Sequence, residues 1–471
     1  MPEESGGRGR VLLVSPPYDT LFNIDRSQYM PLGLLYLASV LKDGYDVRVY
    51  NADLHSGFFK SPEKHASELD YDEYGRSLRD DMHHSWVKMR RVIEEYKPDY
   101  VGVELLTMTY TSGRRVAEIA KGIKDSTVLI GGGVDATLRP GEILADGGFD
   151  YVVRGEGEVT LRELLDTLSS GGDVHSVKGV SFTEGGSIVE NQDRGLIDDL
   201  DLIPFPDRES LVEFGRYEAD SLGRMITGRG CPFNCSFCAS RVVWSGSHRL
   251  RSPENVVDEI EMVYYRYGTR QINFLDDTFN VDEKRVMRMC DLIEARDLRI
   301  IWNCLVRSEN VNKDVIGRMQ DVGLVNVAIG VESGSQRMLD RMNKKADVEG
   351  VRKAVETLKG LGVYVRACFM MGYPGETRET LEQTEKLVSD MDVEYNIEVF
   401  KPYHGTPAYE TLEKQGRIIT QSIDDYYRYY SRTFTDDGIS WDYLVDRHRE
   451  LVKASHEQRK RKTEEFVGNT P

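Results

Sequence analysis

The stretch 228–240, GRGCPFNCSFCAS, decides how the chain is read. It sets three cysteines at 231, 235 and 238, a C-x3-C-x2-C spacing. A disulfide takes two thiols, and a structural zinc site takes four ligands. A cubic iron–sulfur cluster is normally held by four thiolates. Three thiolates leave one iron with an open coordination position, which a molecule needs if it is to be bound and reduced there. The competing readings are a zinc site with its fourth ligand elsewhere, or three buried thiols. Context favours the cluster, because the triplet directly follows an apolar run, RMITG (224–228), that opens a series of alternating strand and helix patterns.

Outward from the triplet, strand patterns recur at 271–277 (QINFLDD), 300–306 (IIWNCLV), 326–333 (NVAIGVES), 364–372 (YVRACFMMG) and 395–402 (YNIEVFKP). Helical periodicity lies between them, as in SPENVVDEIEMVYYRYG, where a serine cap precedes apolar positions at helical spacing. Six βα units are too few for the full eight-unit barrel and suit an open partial barrel over 222–402. Cys290, Cys304 and Cys368 fall inside helix and strand patterns and are read as packing residues.

Residues 1–195 also alternate. Strands are expected at 10–15, 46–51, 99–105, 127–133 and 150–158, with a helix at 32–42. Short apolar runs separated by helices imply a parallel, doubly wound sheet of Rossmann-like type, which binds its ligand at the carboxyl ends of the strands. Those ends carry Pro16-Pro17, the threonines Thr107, Thr109 and Thr111, Gly131-Gly132-Gly133 and Gly155-Glu156-Gly157-Glu158. The polar stretch 57–97 reads as a surface loop plus a helix. Residues 196–221, with two prolines among acids, read as a linker, and 403–471 as a small, mostly helical region.

The chain has 471 residues and a net charge of -18, a poor balance for nucleic-acid binding. No apolar run reaches transmembrane length and the first residues show no secretory signal, so a cytoplasmic location is expected. All six cysteines lie at or after position 231, which is no disulfide framework.

The C-x3-C-x2-C spacing, with Phe237 before the last cysteine, resembles the radical S-adenosylmethionine (SAM) superfamily. The resemblance implies a [4Fe-4S] cluster on Cys231, Cys235 and Cys238. Its open iron would hold the amino and carboxylate groups of SAM, and an electron from the cluster would release a 5′-deoxyadenosyl radical. Asp276 and Asp277 end the second strand where that family places a group for the SAM amine. The usual Gly-Gly-Glu is replaced by DDTF, so either aspartate fits. Arg307 and Glu332 end the third and fourth strands. GVESGS (330–335), with Ser333, looks like the family's ribose-contacting turn, and GYPGET (372–377) like its turn near the adenine or methionine end.

SPPY (15–18), PLGLLYLASVLK (31–42), ELLTMTYTSG (104–113), GGGVDAT (131–137) and GEGE (155–158) resemble, in order and spacing, the cobalamin-binding domain of the B12-dependent radical SAM class. Small residues at strand ends would let a flat macrocycle approach the backbone, and the three threonines would meet its amides or tail. The Asp-x-His-x-x-Gly signature of many B12 proteins is absent. DLHSG (53–57), with His55, is a partial match that reads as a solvated loop, and absence of the ligand is usual in this class. The tRNA methylthiotransferases, which hold a second cluster on N-terminal cysteines, are set aside because no cysteine precedes 231.

Three features of the C-terminal region carry an expectation. His404 reads as a turn residue, the aromatic stretch DDYYRYYSRTF (424–434) as packing, and the basic run 447–462 as a solvated helix or a surface for an anionic membrane. The resemblance implies a cobalamin-dependent methyltransferase that methylates an unactivated carbon through methylcobalamin and the 5′-deoxyadenosyl radical. The alternative is a non-methylating cyclase or rearrangement enzyme. Implied partners are a small-molecule or lipid substrate and a flavodoxin- or ferredoxin-like electron donor, with peripheral membrane contact in the lipid case and no nucleic acid.

Overall fold

A computed structural model of the chain describes residues 8–24, 29–54, 64–420, 423–436 and 438–469, without the side chains of 424, 427 and 466–469. His55 and the rest of the DLHSG match beyond Leu54 lie outside the described residues. The chain forms two units. One comprises 1–222 with 422–428, the other 223–421 with 429–471.

The first unit is built on a seven-stranded sheet. Strands β1 (Arg10–Ser15), β2 (Asp46–Asn51), β3 (Tyr100–Glu104), β4 (Val128–Gly132) and β5 (Tyr151–Val153) are parallel, in the order β2-β1-β3-β4-β5. Both faces are buried. Leu12 and Val14 pack with Trp86, Met89 and Val116 on one side, and Val11 and Leu13 are equally buried on the other. The chain leaves β1 toward one side for β2 and toward the other for β3, so the crevice between the ends of β1 and β3 is the topological switch point.

Two expectations change here. The fifth strand stops at Val153, because Gly155 adopts φ +70° and the helix Gly157–Ser170 begins. An antiparallel hairpin, β6 (Val180–Glu184) and β7 (Ser187–Glu190), extends the sheet beyond β5. The described part of the polar stretch, from residue 64, holds two helices, Tyr71–Arg79 and His84–Tyr96, where one was expected.

In the second unit the chain runs through β8 (Arg224–Met225), β9 (Gly228–Gly230), β10 (His248–Leu250), β11 (Gln271–Phe274), β12 (Ile301–Val306), β13 (Leu324–Glu332), β14 (Tyr364–Met371) and β15 (Glu394–Val399). β8 and β11 to β15 form one parallel sheet in chain order, the topology of a six-unit open barrel. β9 and β10 make a separate antiparallel ribbon. Alternate side chains of each barrel strand, such as Trp302, Cys304 and Val306 or Val365, Ala367 and Phe369, join the core beneath the helices. Cys290 and Cys304 pack in that core as expected. Cys368 does not, since its register sets it on the opposite, inner face with Tyr364 and Arg366.

The C-terminal helix Trp441–Asn469 lies along β15. The basic run is held there by acids. Arg447 pairs with Glu385, Arg459 with Glu394, and Arg461 and Lys462 with Asp392. Much of that charge is therefore matched within the unit. DDYYRYYSRTF is not one helical stripe. A single turn ends at Tyr427, and Tyr429 and Tyr430 flank the buried His448, 3.0 and 2.8 Å from its ring nitrogens.

Candidate cofactor sites

The cysteine loop follows β9 at the carboxyl end of the barrel sheet. Gly230, at φ +88°, lets β9 pass the ribbon partner, because a Cβ there would meet Ser247 O at 2.0 Å. The loop is then clamped from several sides. Ser236 donates N–H to Met342 O at 2.9 Å and lies 2.7 Å from Tyr373 Oη, and Asn343 Nδ2 donates to Asn234 O at 2.7 Å. Phe237 packs against the apolar group of Met338, Met342, Met370 and Phe400, so it anchors the loop.

Cys238 N donates to Cys235 O at 3.2 Å, and Cys231 and Cys238 both sense the charge of Cys235. Burial pushes the Cys231 thiol up and the Cys238 thiol up to about 11. Asp277 is exposed, accepts from Ser240 Oγ at 2.6 Å, and acts on both thiols. Asp276 is used differently. Its Oδ1 accepts Thr227 N–H at 2.6 Å and its Oδ2 accepts the Thr227 hydroxyl, while burial pushes its carboxyl up to about 6. Its carboxylate braces the strand end before the cysteines.

The Arg307 Cζ lies over the Phe233 ring, 3.7 Å from its centroid, with Nη1 3.6 Å from Cys235 Sγ. Glu332 ends β13 at φ +68°, a conformation sparsely populated outside glycine. Its Oε1 accepts from Lys344 Nζ at 2.8 Å, and this pair stands over Gly330, where a Cβ would meet both atoms at 2.9 Å. Ser333 is buried and binds Thr384 Oγ1 and Ser335 N, so its hydroxyl builds the turn. Glu376 of GYPGET holds Gly372 N–H, and burial pushes its carboxyl up to about 7. His404 lies in the turn before the helix Pro407–Lys414, its ring tilted 37° against that of Tyr409 at 4.3 Å.

In the first unit the expected residues gather along the carboxyl edge of the sheet, and their uses diverge. Pro16 and Pro17 are buried after β1. Thr107 Oγ1 donates to Asp135, which is paired with Arg139, and Thr109 Oγ1 accepts Leu106 N–H. Thr111 is partly buried in the helix that follows. Gly133 has φ +105° and a Cβ there would meet Leu105 O, while one at Gly131 would meet Leu105 Cδ1. Gly132 is the exception, since a Cβ there would meet nothing within 4 Å. Glu156 accepts Ile197 N–H at 2.6 Å, tying down the following segment, and Glu158 is buried in its helix. Glu156 is therefore engaged within the fold.

Sequence reasoning did not single out Lys344, nor four residues of the first unit. Glu104 and Ser15 join across the switch point, Ser15 Oγ donating to Glu104 Oε2 at 3.0 Å, and burial raises the Glu104 carboxyl above its ordinary range. The strand ends identified both positions, but pairing required the strand order. Leu106 and Met108 expose 40% and 37% of their surface on the loop after β3.

A profile of the radical SAM superfamily matches residues 225–388, and one of the B12 binding domain matches 25–165. The chain is 32% identical over 422 residues to a protein of Pyrococcus horikoshii named "Uncharacterized methyltransferase PH0819", covering 88% of this chain and 86% of that one. The chain belongs to the B12-binding radical SAM enzymes. It is also 27% identical over 450 residues to the anaerobic magnesium-protoporphyrin IX monomethyl ester cyclase of Rubrivivax gelatinosus, covering 93% and 76% of the two chains. Its fold is shared with the radical SAM methyltransferase TsrM of Kitasatospora setae, solved with cobalamin and a [4Fe-4S] cluster. There the TM-score is 0.68 at 18% identity, covering 87% of this chain and 75% of that one.

The residues present fit the family's cofactors. Among the described residues no three His, Cys, Asp or Glu side chains converge as ligands of one metal ion. A cubane asks for something else, since each thiolate binds a different iron. Beside Cys235, Arg307 Nε is buried with no hydrogen-bond partner, as is Thr278 Oγ1 after Asp277. A buried polar group left so costs roughly 1–3 kcal/mol, which calls for an acceptor that the polypeptide does not supply. In the B12-binding unit the chain's own packing does not demand a glycine at 132, and the open space it leaves is a cradle at the sheet edge.

Proposed function

We propose that this radical SAM enzyme methylates an unactivated carbon of a small-molecule substrate. The observation that carries the reading is the cysteine loop, clamped at the mouth of a six-strand open barrel, on one chain with a sheet whose carboxyl edge is lined by glycine. When bound, the cluster supplies the electron that cleaves SAM, and cobalamin supplies the metal that carries the methyl group. Cys231, Cys235 and Cys238 hold the cluster. Asp277 is the aspartate that receives the SAM amine, because Asp276 has both oxygens committed to Thr227. Lys344, buried, and Glu332, partly buried, line the mouth as an ion pair that orients polar groups of the bound molecules. Gly131 to Gly133, with the apolar Leu106 and Met108, form the platform for the corrin face.

The electron donor is a low-potential protein of flavodoxin or ferredoxin type. The net charge of -18 argues against a nucleic-acid substrate. No helix among the described residues is long and apolar enough to cross a membrane, which agrees with work in the cytoplasm.

The test uses anaerobically purified, iron-reconstituted protein supplied with hydroxocobalamin, SAM and a strong reductant. Bound cobalt is read from the visible spectrum, and 5′-deoxyadenosine and S-adenosylhomocysteine are quantified together. Cobalt bound with both products formed is the expected result. Deoxyadenosine alone would move the assignment to the cyclase or rearrangement chemistry named for the Rubrivivax relative. Failure to bind cobalt would overturn the assignment of the first unit.

A further inference from the structure

We propose that Arg307 is a positioning residue of the iron–sulfur site, which seats the Cys235 thiolate and raises the reduction potential of the cluster. The inference rests on the reading that the three cysteines hold that cluster.

Arg307 follows the last residue of β12, and the backbone there is pinned, Arg307 N donating to Asn280 Oδ1 at 3.1 Å and Asn280 Nδ2 to Arg307 O at 3.3 Å. Its side chain spans three segments. Nη1 points at Cys235 Sγ at 3.6 Å, the plane rests on Phe233 of the same loop, and Nη2 donates to Lys344 O and to Glu309 Oε1. The segment around Lys344 is rigid for its own reasons. Asn343 and Lys345 both hold positive φ, at 52° and 61°, and Met342 O and Asn343 Nδ2 are bonded to the cysteine loop. These contacts hold the guanidinium against the cysteine loop.

Arg307 is 4% exposed, so its charge is poorly screened. One electron added to a cluster on three thiolates makes the site more negative by one charge. A fixed cation against a ligand sulfur stabilises that state more than the oxidised one, and hydrogen bonds to cluster sulfurs act in the same direction. Glu309 is the opposing group. It is exposed, and its carboxylate offsets part of the arginine's field. The pair therefore sets the potential between two limits that substitution can reach separately.

The experiment is a redox titration of the full-length, anaerobically reconstituted protein, followed by the EPR signal of the reduced cluster, with iron and sulfide measured per chain. Arg307→Gln is expected to shift the midpoint potential negative, Arg307→Lys to stay near the wild type, and Glu309→Gln to shift it positive. Wild-type potentials in both Arg307→Gln and Glu309→Gln would overturn the proposal, leaving Arg307 as a brace only. If Arg307→Gln takes up no iron, Glu309→Gln decides alone, a positive shift supporting and no shift overturning. A wild-type chain that itself takes up no iron would instead sink the family reading.

Discussion

Asp276 and Asp277 are adjacent in sequence and equivalent to any motif, yet burial separates them. Asp277→Ala is expected to weaken SAM binding at least tenfold on the reconstituted protein, measured by equilibrium dialysis, with unfolding unchanged. Asp276→Ala should instead lower stability by roughly 1–3 kcal/mol, because Thr227 keeps a buried N–H and hydroxyl without their acceptor. Gly132→Val offers a second contrast. The strand end has room for the side chain, so the fold should hold while cobalamin retention, read from the visible spectrum after gel filtration, falls. Glu376 carries a pH signature. Its folded-state carboxyl is raised from 4.5 to about 7 by burial, so between those values the folded chain binds more protons than the unfolded one. Stability from this group is present below pH 4.5 and is lost as pH rises toward 7, by about 3 kcal/mol at most. Glu376→Gln should therefore match the wild type in thermal unfolding near pH 4 and exceed it at pH 8. The cysteine triplet stands out in the sequence by its spacing and its place after the first strand of the βα series. The division of labour between the aspartates does not, because it depends on which strand end lies beside Thr227.

Strand β15 is the edge of the barrel sheet, and its outer carbonyls need partners. The C-terminal helix provides them from one face. His448 Nε2 lies 3.0 Å from Ile397 O, Ser455 Oγ donates to Tyr395 O at 2.5 Å and Gln458 Nε2 to Val393 O at 2.6 Å. Removing the last two together, as Ser455→Ala with Gln458→Ala, should lower the urea midpoint by an amount equal to roughly 1–3 kcal/mol per orphaned carbonyl. The sequence marks this segment as helical and basic, but a helix does not declare which strand it will cap. The hairpin β6–β7 was legible. VSFTEGGSIVE sets two glycines between strand-like runs, and both take positive φ, 56° and 81°, as a two-residue hairpin turn requires.

At the scale of the whole molecule, the two units carry separate cores. Leu12, Trp86 and Val101 belong to one, and Trp302, Val327 and Phe369 to the other. Cys231→Ala, Cys235→Ala and Cys238→Ala combined should thus abolish iron uptake and deoxyadenosine formation while cobalamin still binds, measured by metal analysis and the visible spectrum of the same sample. The sequence by itself determined the two-part α/β architecture, because apolar periodicity and turn residues are local properties of the chain. It also singled out the three cysteines proposed as cluster ligands, whose signal lies in their spacing. Only the tertiary structure decided which polar residues remain for ligands and which hold the fold together. Glu156, Asp276 and Ser333 were absorbed by backbone and side-chain partners, while Glu104, Lys344 and the contact of Arg307 with Cys235 emerged at the site. The physical reason is that a buried polar group must find a partner, and the partners of these residues come from segments distant in the chain.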